Sequence, residues 1–301
     1  EVTGMFTGSI TALVTPFRGG ALDTEALRGL IEVQIAAGTK GLVPCGSTGE
    51  SATLSYEEHN RVVELTVKTA AGRVPVIAGA GSNSTAETVM LTRHAREAGA
   101  DAALLITPYY NKPTQQGLYE HYREVARAVD IPIVLYNVPG RTSVNMLPDT
   151  VARLSEIDNI VGIKEATGDM AQVSEVIEKA RTGFCVLSGD DPTTLPLLAL
   201  GGRGVISVTS NLLPGEMSGM CEAFASGDLE EARRLHYRLL PMHRAMFLET
   251  NPIPVKTALA LVGAMAEEFR LPLSKMAPEN RERLTRALKD YGIEVRSRPN
   301  A

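Results

Sequence analysis

Residues 160–170 read IVGIKEATGDM. A short β-branched run ends in Lys164 and then breaks into small and polar residues. In a parallel α/β protein such a run is a buried strand, and the residue at its C-terminal end faces the ligand side. A lysine there is costly unless it is paired, solvated or neutral. Burial disfavours the ammonium form, so some free amine, a nucleophile, becomes available near neutral pH. The competing reading pairs Lys164 with Glu165 or another carboxylate on a solvated rim. This stretch alone leaves the two readings level.

Outward from it, short apolar runs alternate with helical patterns up to about position 210. Eight strands are expected, beginning near Ser9, Lys40, Val74, Ala102, Pro132, Ile160, Phe184 and Gly204. Between them apolar residues recur at helical spacing, as in Leu27, Leu30, Ile31 and Ile35. Ser55-x-x-Glu58 and Ser84-x-x-Glu87 read as capping boxes, and Asp191-Pro192 as an N-cap with the first helical residue. Strict alternation implies a parallel sheet with right-handed crossovers. Eight units favour a closed (β/α)8 TIM barrel over an open doubly wound sheet. From Leu213 only helices are expected, over Pro214–Ser226, Leu229–Leu248, Pro254–Phe269 and Pro278–Tyr291. The division drawn is a barrel over 1–226 with the active site and a C-terminal helical extension over 227–301.

Among 301 residues, 44% are hydrophobic and 22% charged, with a net charge of −5 and no basic run. That composition describes a soluble globular protein and argues against nucleic-acid or anionic-membrane partners. Any anionic substrate must then be held by local groups. The three cysteines, Cys45, Cys185 and Cys221, lack metal-ligand spacing and read as reduced thiols of a cytoplasmic protein. No leader-like basic-then-apolar segment opens the chain, and no apolar run approaches a membrane span. The five histidines fall on helix-like segments rather than strand ends, so no metal is expected.

In a barrel the functional residues follow the strands on one face. After the second strand comes Gly46-Ser47-Thr48-Gly49-Glu50-Ser51, a glycine-flanked turn whose N–H groups can hold a carboxylate. Gly41-x4-Gly46-Ser47-Thr48 lacks the lysine of a nucleotide-binding P-loop, and Gly79-x-Gly81 lacks the third glycine of a dinucleotide fingerprint. Tyr109 and Tyr110 follow the fourth strand; Tyr136 and Arg141 follow the fifth. Each tyrosine alone reads as packing, and Arg141 as a surface ion pair or a two-pronged carboxylate ligand.

Together these stretches resemble the dihydrodipicolinate synthases. Gly46–Ser51, Tyr109–Pro113, Tyr136–Arg141, Gly162–Thr167 and Gly189–Asp191 occur in that family's order and spacing, and the likeness runs from about Phe6 to past position 290. Single motifs are shared across the pyruvate-dependent lysine aldolases and lyases; Arg141 after Tyr136-Asn-Val-Pro is the more specific part. The resemblance implies that Lys164 forms a Schiff base with pyruvate, whose enamine attacks L-aspartate-4-semialdehyde without any cofactor. It implies that Tyr136 relays protons through Ser47 and Tyr110, that Thr48 with Ser47 holds the pyruvate carboxylate, and that Arg141 binds the semialdehyde. Gly189 and Ile206 match positions lining the pyruvate pocket. Ser51, Ala52, Tyr56, His59, Asn83, Glu87 and Tyr109 match a feedback site for L-lysine, with Tyr56 in place of a histidine. A homotetramer is implied in which Tyr110 reaches the neighbouring site.

Two departures are noted: Ser47 stands where the family usually has threonine, losing a methyl that restrains the rotamer, and Tyr56 leaves lysine feedback open. Other readings are a pyruvate aldolase for a sugar acid or hydroxyglutarate-type substrate, a metal-dependent aldolase, a pyridoxal phosphate enzyme and a non-catalytic barrel.

Overall fold

The computed structural model describes residues 6–296. Strand β1 (Gly8–Ala12) leads into a small antiparallel hairpin, β2 (Phe17–Arg18) and β3 (Ala21–Leu22), which the periodicity did not announce. Strands β4 (Gly41–Val43), β5 (Ile77–Gly79), β6 (Ala102–Ile106), β7 (Ile133–Asn137), β8 (Ile160–Glu165), β9 (Cys185–Ser188) and β10 (Gly204–Ser207) follow. With β1 they make one eight-stranded parallel sheet in the order β4-β1-β10-β9-β8-β7-β6-β5. Its two ends meet at a single parallel bridge between Leu42 and Val76, so the sheet curls into a nearly closed barrel. The eight expected strands are these, each starting within about three residues of its expected place.

The strands are almost wholly buried because side chains of one face fill the barrel while those of the other meet the helices. Ile10, Val43, Ile77, Leu104, Val134, Leu187 and Ile206 pack in the barrel interior. Ile133, Leu135 and Ile163 pack outward with helical residues such as Leu118, Tyr122 and Val151. Each such aliphatic side chain contributes about 1.5–3 kcal/mol on burial. Gly162 is required where it stands: a Cβ there would lie 2.5 Å from the Cys185 carbonyl oxygen across the ladder.

Helices α1 (Thr24–Ala36), α2 (Tyr56–Ala70), α3 (Thr85–Glu97), α4 (Gln115–Ala128), α5 (Pro139–Thr142), α6 (Pro148–Ser155), α7 (Met170–Lys179) and α8 (Thr194–Ala199) surround the sheet. Helices α9 (Pro214–Ala225), α10 (Leu229–Ala245), α11 (Ile253–Leu261) and α12 (Pro278–Tyr291) complete the chain. The expected helix over Pro254–Phe269 is cut short: α11 ends at Leu261, and Gly263 adopts φ +80, outside helical range. The Ser55 capping box is present in full. At Ser84 only half of one forms, because the Glu87 side chain turns to Ser82 and Tyr56 instead of the cap N–H. Asp191 is no N-cap either: it lies inside a 3-10 turn and accepts the N–H groups of Val208 and Thr209, pinning the end of β10. The C-terminal helices share a core with the barrel, Met242, Val255, Leu259 and Leu284 packing with Val14, Leu30 and Val208. Among the described residues no helix is long and apolar enough to cross a membrane.

Candidate active site

Strand pairing builds the centre of the site. Tyr136 on β7 and Lys164 on β8 are register partners, so their side chains project to the same side of the sheet as neighbours. Lys164 is only 6% exposed, and its ammonium lies 4.2 Å from the centre of the Tyr136 ring. Glu165, one residue on, points to the opposite face by the strand's two-residue period. Its carboxylate accepts from the Asn137 side chain, the Thr167 N–H and the Gln172 side chain, and burial raises its pKa. The rim pairing of Lys164 with Glu165 is therefore excluded. Among the described residues no carboxylate lies within 4.0 Å of the Lys164 nitrogen.

Gly189, one of the expected pocket residues, meets this lysine just after the end of β9. A Cβ on Gly189 would sit 2.9 Å from Lys164 Cε and 2.7 Å from Ala166 Cβ, so the glycine makes room for the lysine stem. Ile206 is buried in the same interior cluster as Tyr136.

The turn after β4 carries Ser47 and Thr48. The N–H groups of Gly49, Glu50 and Ser51 are used within the turn, bonding back to Gly46 and Ser47 carbonyls. Those of Ser47 and Thr48 have no protein acceptor among the described residues, which leaves a pair of donors for an anion. Cys45 and Glu50, on either side, both have positive φ, 55 and 53, which non-glycine residues adopt rarely. Gly79 admits the Cys45 backbone: a Cβ there would meet the Cys45 oxygen at 2.2 Å.

A cavity of about 680 Å³ has Ser47, Tyr136, Arg141 and Asn251 in its wall, whereas Lys164, Thr48, Gly189 and Ile206 are not part of it. Arg141 Nη2 donates to the Asn251 carbonyl at 2.8 Å, and Asn251 Nδ2 donates to Thr48 Oγ1 at 3.0 Å. Asn251 Oδ1 is buried without a partner. Lys256, on the same segment, donates to Glu50 and is wholly buried. Burial pulls the Lys256 pKa below its ordinary value, with Glu50 opposing. Removing either partner leaves a buried charge and costs about 3–5 kcal/mol. Neither Asn251 nor Lys256 was among the expected site residues. The signal available was one lysine inside the largely apolar run IPVKTALAL.

The same cavity wall includes Ser51, Ala52, Tyr56, His59, Glu87 and Tyr109. Asn83 is not part of the wall, but its side chain donates to the Tyr109 carbonyl at 3.2 Å. The Tyr56 and Ser82 hydroxyls both donate to Glu87 and hold its carboxyl below the usual range. His59 is buried on α2, not on a solvated face; desolvation lowers its pKa. Its Nε2 donates to the Gly79 carbonyl at 2.8 Å, leaving Nδ1 a buried acceptor without a partner.

Tyr110 stands apart. It is 91% exposed with φ 71, and the single chain does not bring it to Ser47 and Tyr136. All five histidines lie on helices, and no cluster of His, Cys, Asp or Glu among the described residues is arranged to hold a metal ion.

Residues 5–291 match the dihydrodipicolinate synthetase family. The chain belongs to this family. It is 60% identical over 289 residues to the 4-hydroxy-tetrahydrodipicolinate synthase of Thermodesulfovibrio yellowstonii, covering 96% of this chain and 99% of that one. The crystal structure of dihydrodipicolinate synthase from Aquifex aeolicus superposes with a TM-score of 0.95 at 52% identity, covering 97% of this chain and all of that one. A family structure from Cyanidioschyzon merolae with lysine bound has a TM-score of 0.93 at 41% identity, covering 96% of this chain and 99% of that one.

Proposed function

We propose that this chain is a 4-hydroxy-tetrahydrodipicolinate synthase, condensing pyruvate with L-aspartate-4-semialdehyde through an imine on Lys164. The observation that carries the reading is the buried Lys164 amine, free of any carboxylate and set against the Tyr136 ring. The Lys164 nitrogen adds to C2 of pyruvate, water leaves, and a protonated imine forms. Its cationic nitrogen accepts the electrons released when a C3 proton is removed, giving an enamine. Enamine C3 bonds to the aldehyde carbon, whose oxygen takes a proton. The substrate amine then adds at C2 and expels Lys164 as the ring closes, restoring the free lysine. Tyr136, beside the imine, moves the protons with Ser47, while the Ser47 and Thr48 N–H groups hold the pyruvate carboxylate. Arg141, on the cavity wall, holds the semialdehyde carboxylate by a two-pronged hydrogen bond.

Two further parts of the reading concern the assembly. The exposed phenol of Tyr110 supports a homotetramer in which it completes the relay of a neighbouring subunit. The shared cavity with Tyr56, His59 and Glu87 supports L-lysine as a feedback ligand, its ammonium groups facing the Glu87 carboxylate and the free His59 Nδ1. Buried, unpaired thiols suit work in the cytoplasm.

Borohydride reduction in the presence of pyruvate, followed by peptide mass spectrometry, tests the core of the proposal. A reduced pyruvate adduct is expected on the Lys164 peptide and absent from Lys164→Ala. A folded protein without that adduct would make Lys164 structural and end the reading. Replacing the aldehyde in a turnover assay then separates aspartate semialdehyde from sugar-acid acceptors.

A further inference from the structure

The segment Asn251–Lys256 grips the loop that carries Ser47 and Thr48 from a great distance in sequence. Asn251 lies 203 residues from Thr48, and Lys256 lies 206 residues from Glu50, yet both pairs are hydrogen-bonded. The Asn251 carbonyl also takes the Arg141 guanidinium, so one segment reaches both groups assigned to substrate carboxylates. Lys256 itself touches no part of the cavity. Its ammonium is enclosed by the rings of Phe17 and Phe269, at 4.4 and 5.2 Å from their centres, and by Glu50. The second Glu50 oxygen accepts the Arg270 N–H at 3.2 Å.

A loop bounded by two non-glycine residues at positive φ keeps its shape only where the surroundings over-determine it. A buried ion pair is a weak source of stability but a strict one in geometry, since a displaced carboxylate leaves a charge unmatched. We propose that Glu50 and Lys256 are positioning residues: their pair fixes the loop so that the Ser47 and Thr48 donors stay aimed at carboxylates, and ties that aim to Arg141 through Asn251. The proposal rests on the assignment of Thr48 and Arg141 as carboxylate ligands.

The test is the neutral double variant Glu50→Gln/Lys256→Met in the full-length enzyme, since either single change strands a charge. The expected result is a folded protein that still gives the Lys164 adduct at saturating pyruvate. Its KM for both pyruvate and the semialdehyde should rise about tenfold or more, with kcat within about threefold. Glu267→Gln, which breaks the Arg281 pair in the same helical region, serves as the structural comparison and should lower thermal stability without moving either KM. A double variant whose KM values stay within about twofold of the parent overturns the proposal, leaving the pair a packing feature. One that does not fold overturns it too, by making the pair a requirement of the fold. Absence of the adduct in the parent enzyme overturns the imine reading beneath it, and is seen before any variant is made.

Discussion

Lys164 and Glu165 are adjacent charged residues, yet they end up in opposite environments because a strand alternates its faces. One faces the barrel interior beside Tyr136; the other is enclosed by Asn137, Thr167 and Gln172. Whether Lys164 pairs with Glu165 was left open by the sequence, but the strand and its ligand-facing end were legible from the β-branched run and the polar loop after it. The fit of Gly189 against the lysine stem was not, because a contact between β8 and β9 depends on register. It yields a prediction. Gly189→Ala would press a methyl against Lys164 Cε, the end of a flexible side chain, and against Ala166. The protein should fold, while adduct formation with pyruvate slows about tenfold or more, as a misplacement near 1 Å can cost up to about a hundredfold. Stopped borohydride trapping over time would measure it; an unchanged rate would mean the lysine does not use that space.

Helices α2 and α3 bring Tyr56 and Glu87 together across 31 residues of sequence. Their periodicity and caps were readable, but not that Glu87 would leave its cap to accept two hydroxyls. Where α11 stops was misread for the opposite reason: apolar spacing continues past Gly263 although the backbone turns away. Asp191 likewise looked like a local cap and serves a strand instead. For Glu87 and Asp191 a local pattern was complete in itself and a tertiary partner took the side chain. The Tyr56–Glu87 contact bears on feedback. L-lysine in the millimolar range should lower activity, and Glu87→Gln should weaken that inhibition about tenfold, the loss of one charge-assisted hydrogen bond. Initial rates across a lysine titration decide it, and a flat curve for the parent enzyme would remove this chain from the lysine-sensitive forms.

For the molecule as a whole, buried imidazoles set the response to acid. Burial pushes His121 down to about 4 from 6.5, and the same cause lowers His59, His236 and His243. Below pH 6.5 the unfolded chain takes protons that the folded one refuses, so stability falls as pH drops from 6.5 through 4. Glu58, held to about 2 by the Arg270 guanidinium, adds a loss in the same direction below 4.5. Glu165 opposes these, since its raised pKa favours the folded state in acid. The histidines outnumber it. Urea midpoints should decline from pH 7 to pH 4, and His121→Phe should flatten that decline by up to about 3 kcal/mol. An equal slope in the variant would show that His121 protonates without unfolding.

Assembly belongs to the same scale. If the exposed Tyr110 phenol serves a neighbour, Tyr110→Ala should lower kcat about a hundredfold, the value of one proton-transfer group, in a protein that sediments as a tetramer. A monomeric parent with full activity would dismiss that role. The eight strands and the lysine were readable one segment at a time; the links from Asn251 and Lys256 were not, because nothing local marks a partner two hundred residues away.

Those late links bear on how the protein is made. Synthesis runs from the N-terminus, and domains begin to fold as they emerge. All eight strands of the barrel, Lys164 and Tyr136 precede position 208, whereas the ties from Asn251, Lys256 and Arg270 to the loop 47–50 come after position 250. A nascent chain can thus wind its barrel before the loop proposed to hold pyruvate is tied in place.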